Sequence, residues 1–198
     1  MNHIIVEDKL RDTNPVPVVI AFTPNYFIPA STCLYSIFAS LDTEEQMHVI
    51  CLLSEELPDR LKQKIQLIGG ERAQYSFINL QGRLQNIYID AKYTEVASYR
   101  LLLPDLLPEY DKVMYIDCDI IVRNNLVKLY RSVDLGNHYL AAVFEAPMDF
   151  QLGHLKVIGC HPDEYVNSGF LIMNLELMRR DNMVEKFIDA SKADYLEF

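Results

Sequence analysis

The chain has 198 residues, with 18 Lys and Arg against 28 Asp and Glu, for a formal net charge of −10. Half of its residues are hydrophobic and 23% are charged. That is the balance of a chain with a real core, and it excludes a disordered tail or a polar linker. The length suits one domain over residues 1–198, and the acidity argues against a non-specific nucleic-acid binder, which needs a basic stripe.

In chain order, Met1 to Val6 followed by Glu7-Asp8-Lys9 lacks the basic-then-apolar pattern of a secretory signal. Val16 to Phe22 reads as a buried strand ending at Thr23-Pro24-Asn25. Ala30, Cys33/Leu34, Ile37/Phe38 and Leu41 then follow helical spacing. Val49 to Leu53 reads as a second strand. Pro58 opens a helix whose Leu61, Ile65 and Ile68 share a face before Gly69-Gly70 ends it, and Gln74 to Leu80 is a third strand. This alternation predicts a parallel α/β sheet with crossover helices.

Tyr93 to Leu103 predicts a helix ending at Pro104, and Lys112 to Val122 a strand. Tyr139 to Phe144 and Gly169 to Asn174 add two more strands, and Met178 to Ala190 a final helix. Such near-continuous apolar strands suit a sheet covered on both faces. Ligands of open sheets of this kind bind at the carboxyl ends of the strands.

Cys33, Cys51, Cys118 and Cys160 include no Cys-x-x-Cys pair, against a zinc ribbon or a thioredoxin-like centre. Three of them lie in apolar runs, the pattern of buried thiols in a reduced, cytoplasmic protein. No apolar run reaches the ~18 residues of a membrane span.

The sharpest feature is Tyr115-Ile116-Asp117-Cys118-Asp119-Ile120-Ile121-Val122. Burying one unpaired carboxylate costs several kcal/mol or neutralises it, and two close together are worse unless a cation joins them. Side chains at i and i+2 of a strand point the same way. At a strand end both therefore reach one divalent ion, and hard oxygen ligands suit Mg2+ or Mn2+. The alternative is a pair of loop residues after a strand that ends at Ile116.

Two chemistries use such a pair. Phosphatases of the haloacid-dehalogenase type use the first Asp, here Asp117, as a nucleophile. They usually carry the pair near the N-terminus of the domain and add a later acidic pair. Glycosyl transfer from a nucleotide sugar uses the pair to hold a metal on the diphosphate. It needs a nucleotide-binding half upstream, which the preceding α/β segment offers.

Four blocks in order resemble glycosyltransferase family 8, the group of bacterial lipopolysaccharide glucosyl- and galactosyltransferases and of glycogenin. They are Ile20-Ala21-Phe22-Thr23-Pro24-Asn25-Tyr26 with the helix containing Ser36, Tyr99-Arg100-Leu101-Leu102-Leu103-Pro104, Asp111-Lys112-Val113-Met114-Tyr115-Ile116-Asp117-Cys118-Asp119, and Asn167-Ser168-Gly169-Phe170-Leu171-Ile172-Met173-Asn174-Leu175. The resemblance implies a GT-A fold, with a mostly parallel mixed sheet flanked by helices. It also implies metal-dependent, retaining transfer of a hexose from a UDP-sugar to a glycan or lipopolysaccharide acceptor. Such a protein would be cytoplasmic, with peripheral membrane contact.

By the same resemblance Asp117, Cys118 and Asp119 match the metal-binding Asp-x-Asp. Ala21, Thr23, Asn25 and Tyr26 match positions beside the base, Arg100 one beside the sugar and diphosphate, and Glu145 one near the sugar hydroxyls. Asn167, Ser168 and Gly169 match a turn lining the sugar pocket. Four of them have a plainer reading. Tyr26 is also a half-buried core tyrosine, Ala21 strand core, Arg100 a surface arginine paired with Glu95 or Asp105, and Glu145 a solvated strand end.

The chain departs from the family at Thr23, where an acidic residue often reads the base, and after Leu196-Glu197-Phe198, where the family continues. That continuation normally brings a metal-ligating His, which His138, His154 and His161 do not match. A C-terminally truncated protein that binds a nucleotide sugar without efficient transfer is the non-catalytic alternative.

Overall fold

The structure, a computed structural model, describes residues 14–84 and 95–191, the side chain of His154 excepted. Strand β1 (Val16–Phe22) is buried at every residue. Strands β2 (Met47–Leu53), β3 (Ala73–Asn79) and β4 (Lys112–Asp117) run parallel with it. Strands β5 (Leu140–Phe144) and β6 (Val166–Asn174) complete one sheet of order β3-β2-β1-β4-β6-β5. There β6 is antiparallel to β4, and β5 is antiparallel to β6.

Alternation along the strands divides the core into two layers. Val18, Ile20 and Phe22 of β1, with Met114 and Ile116 of β4, face one side. They are covered by helices α1 (Phe27–Ala39) and α2 (Asp59–Gln66). Val19 and Ala21, with Val113 and Tyr115, face the other side. That side is covered by α3 (Glu95–Ser98), a 3-10 turn over Tyr99–Leu102, and α4 (Leu103–Leu106).

Helix α5 (Leu126–Ser132) is capped by Asn125, whose Oδ1 accepts from the backbone N–H of Lys128 at 3.0 Å. Next come α6 (Asp149–Val157), α7 (Leu175–Arg180) and α8 (Met183–Ser191). Gly69 stands at φ +84, and a Cβ there would lie 2.7 Å from the ring of Phe38. Only glycine lets α2 turn into β3 against α1 at this point.

Three expectations are corrected. The strand expected over Lys112 to Val122 ends at Asp117, and Cys118 and Asp119 form a turn. The carboxylates oblige this, because the paired ladder stops where burial becomes unaffordable for a charge. Asp117 therefore shares the face of Tyr115, while Asp119 is exposed.

The helix expected over Met178 to Ala190 is two helices, α7 and α8, broken at Asn182 with φ +53. Asn is among the few residues that adopt this backbone readily. Pro104 does not end a helix but sits in the first turn of α4, where its missing N–H costs nothing. The start of the helix expected from Tyr93 lies outside the described residues. Helices α5 and α6 were not expected at all.

Candidate active site

The strand order turns back at β1. The chain moves outward to β2 and β3, then returns on the other side of β1 with β4. Such a switch point opens a crevice at the carboxyl ends of the two strands. Here Ala21 pairs with Asp117 in the last rung of the β1–β4 ladder. A cleft of about 180 Å³ lies beside that rung, lined by Ala21, Thr23, Tyr26, Arg100, Asp117, Cys118 and Asp119 together with Phe22, Val96, Ala97 and Tyr115.

Arg100 is the only charged side chain among the buried ones of the described residues, at 9% exposed. Its Nε donates to the Ala97 carbonyl at 2.6 Å, its Nη1 to the Ser168 carbonyl, and its Nη2 to Asp117 Oδ1 at 3.0 Å. The guanidinium carbon lies 4.4 Å from the centroid of the Tyr115 ring. The expected alternatives of Glu95 or Asp105 as ion-pair partners do not hold; the pair is with Asp117. An arginine so fixed presents a rigid fork.

Asp117 Oδ1 also accepts from the Tyr115 hydroxyl at 3.0 Å. Burial pushes the Tyr115 phenol above its ordinary range, with the neighbouring Arg100 opposing the shift, so the phenol stays a donor. Among the described residues no hydrogen bond or ion pair falls on Asp117 Oδ2. That oxygen lies against Gly169, where a Cβ would stand 2.7 Å from it.

The glycine turn, none of whose residues lines the cleft, reaches Arg100 and Asp117 through an irregularity in the sheet. Ala142 pairs with Leu171 and Val143 with Asn167, so Ser168 to Phe170 have no counterpart on β5. Such insertions re-aim groups beside functional sites. Here one frees the Ser168 carbonyl for Arg100 and brings Gly169 against Asp117. Asn167 Oδ1 accepts from the Gly169 N–H at 2.8 Å, and its Nδ2 donates to Glu145 Oε2 at 3.1 Å. Glu145, Asn167 and Ser168 are exposed and do not line the cleft, but this chain of bonds joins them to it. Asn25 is exposed and does not line the cleft, and Tyr26, which does, is 48% exposed rather than packed in the core.

The turn is fastened from below. Ser36 Oγ in α1 accepts from the Val122 N–H at 2.9 Å, and Ser40 Oγ donates to the Asn124 carbonyl at 3.1 Å. Burial raises the Cys118 thiol to about 11, helped by Asp119 and Asp117, and raises Cys33 to about 12, helped by Cys118 and the same carboxylates. With Cys51, these are buried free thiols, as expected.

Among the described residues no group of three or more His, Cys, Asp or Glu side chains stands together as a metal cage. His138 Nδ1 lies 3.1 Å from the Leu135 carbonyl, and His161 caps a 3-10 turn by accepting from the Asp163 N–H. Neither lines the cleft. Two carboxylates, one with an oxygen still open, nevertheless fit a hard divalent ion that takes its other ligands from substrate and water.

Sequence reading missed Tyr115 and Ala97. The spacing of Tyr115 and Asp117, two apart on one strand face, is the signal that finds the first. The contact of Ala97 with Arg100 is made by backbone and leaves no trace in residue type.

The family model described as "Glycosyl transferase family 8" matches residues 17–195. General stress protein A of Bacillus subtilis is 24% identical over 183 residues, covering 91% of this chain and 63% of its own length. A putative glycosyltransferase of Haemophilus influenzae is 32% identical over 107 residues, covering 53% of this chain and 32% of its own. Among solved structures, the bifunctional glycosyltransferase WbbM aligns with a TM-score of 0.76 at 23% identity, over 98% of this chain and 36% of that one. The galactosyltransferase LgtC, in complex with donor and acceptor sugar analogues, aligns with a TM-score of 0.74 at 25% identity, over 92% and 67%. The chain thus spans under two thirds of these curated relatives. The sheet is that of the GT-A glycosyltransferases, and the chain belongs to glycosyltransferase family 8.

Proposed function

We propose that the cleft at the ends of β1 and β4 binds a UDP-sugar with Mn2+ or Mg2+, as the donor half of a retaining hexosyltransferase acting on a glycan or lipopolysaccharide. The observation that carries this reading is Asp117. One of its oxygens is fixed by a buried arginine and the Tyr115 hydroxyl, and the other takes no hydrogen bond or ion pair among the described residues. Asp117 and Asp119 would hold the ion, which when bound neutralises the diphosphate and makes it a better leaving group.

The remaining work falls to the chain's own side chains. Tyr26 offers a ring face at the rim for the base, with Asn25 and Thr23 as hydrogen-bonding neighbours and Ala21 as the small floor. Cys118 sits between the two carboxylates. Arg100 sets a fixed positive charge where charge grows on the departing phosphate oxygen. Glu145, held by Asn167, and the Ser168-Gly169 turn orient the sugar hydroxyls. The bond from the anomeric carbon to the diphosphate breaks with its electron pair leaving on UDP. An acceptor hydroxyl oxygen bonds to that carbon and passes its proton to the departing diphosphate oxygen.

The solved relative LgtC, a galactosyltransferase seen with donor and acceptor sugar analogues, supports this class of chemistry. The family match across the Asp-Cys-Asp turn and the α/β half before it favours nucleotide-sugar binding over the phosphatase reading of Asp117. No helix among the described residues is long and apolar enough to cross a membrane.

A thermal-shift screen of nucleoside diphosphate sugars with Mn2+ tests the proposal. At 100 times the dissociation constant a bound donor adds ~2.7 kcal/mol, which for a chain of this size is a shift of about 5–10 °C. UDP-sugars should stand out. No shift with any nucleotide sugar contradicts the reading.

A further inference from the structure

The geometry points to Tyr115 as a positioning residue that orients Asp117, so that one carboxylate oxygen is an anchor and the other is the ligand atom. This rests on the metal-dependent donor site proposed above. Tyr115 is 1% exposed, and its ring packs in the core layer beneath the cleft. Its hydroxyl and Arg100 Nη2 both donate to the same oxygen, Asp117 Oδ1, each at 3.0 Å.

The two donors reach that oxygen from one assembly, because the arginine lies over the ring of the tyrosine. Tyr115 and Asp117 are two apart on β4, so the strand itself aims the hydroxyl at the carboxylate. Oδ2 is turned the other way, into the space that Gly169 keeps open. One donor alone fixes where a carboxylate oxygen sits. A second donor, held by a different backbone, fixes the plane of the group. Groups that fix the orientation of a metal ligand in this way typically change metal affinity 10–100-fold when removed.

The plainer role is that the hydroxyl merely satisfies itself on the nearest acceptor. The two differ in what Tyr115→Phe does. The substitution removes one oxygen and keeps the ring under Arg100, so the fold persists and melting temperature and circular dichroism report it. In calorimetric titrations of UDP at a series of Mn2+ concentrations, the half-saturating Mn2+ should rise about tenfold in Tyr115→Phe. Replacing Tyr115 with p-aminophenylalanine, which keeps the ring and restores a donor, should return the wild-type requirement.

A folded Tyr115→Phe chain whose Mn2+ requirement stays within twofold of wild type overturns the positioning role alone. A wild-type chain whose UDP binding ignores Mn2+ overturns the metal site itself, and this inference with it.

Discussion

The two ends of β4 open on two clefts, and in the larger His48 and Lys112 already have their partners. At the amino end, about 430 Å³ is lined by His48, Tyr110, Lys112 and neighbours. There the Lys112 ammonium donates to the Tyr130 and Val133 carbonyls, each at 3.0 Å, and lies 4.3 Å from the Tyr130 ring centroid. His48 has one nitrogen on the Tyr110 hydroxyl and the other 2.8 Å from Ser76 Oγ. At the carboxyl end, about 180 Å³ is lined by a carboxylate with an open oxygen, a buried arginine and an exposed second carboxylate. Space does not distinguish a ligand site from a structural recess here. A carboxylate held on one oxygen by a buried arginine and unbonded on the other, found only in the smaller cleft, does.

The comparison breaks or sharpens at particular residues. The largest effect belongs to Asp117→Asn, which should weaken Mn2+-dependent UDP binding by more than ~100-fold, the upper end of what even an outer partner is worth. Calorimetry with and without Mn2+ reads it. Next is Gly169→Ala, whose new Cβ would stand 2.7 Å from Asp117 Oδ2 and 3.0 Å from Asn167 Oδ1. The carboxylate must turn, and Mn2+ affinity should fall about tenfold. An unchanged titration would show that Oδ2 is not the ligand atom.

At the other end, Lys112→Met should leave UDP binding alone and lower stability by about 1 kcal/mol, or about 2–4 °C in melting temperature. A loss of UDP affinity there would erase the contrast between the ends.

The smallest effect is one of pH. Burial holds His48 below its ordinary value of 6.5, with Glu109 opposing. As the pH falls, the unfolded chain takes up this proton before the folded one. Stability present above 6.5 is therefore lost as the pH drops through the folded value. Melting temperatures from pH 7.5 to 5.5 should fall more steeply in wild type than in His48→Gln. Equal slopes would contradict this.

The central strands were legible because β1, β2 and β4 are apolar runs buried on both faces, a pattern that survives without knowing their neighbours. The expected strand through Val122 overran because apolar Ile120 to Val122 look alike in a strand and in a loop packed on α1. What stops the ladder is the charge of Asp117 and Asp119. Asn182 hid the break between α7 and α8 because its left-handed backbone is a conformation, not a residue type. At the site, Arg100 and Asp117 were each singled out in the sequence, but their ion pair spans two elements. Only the fold brings α3 and its following turn over β4.

The most direct test is calorimetric titration of the wild-type chain with UDP, with and without Mn2+, beside Asp117→Asn. The open carboxylate predicts that Mn2+ strengthens UDP binding by more than ~100-fold in wild type and leaves the variant unchanged. Equal wild-type affinity with and without Mn2+ would contradict it.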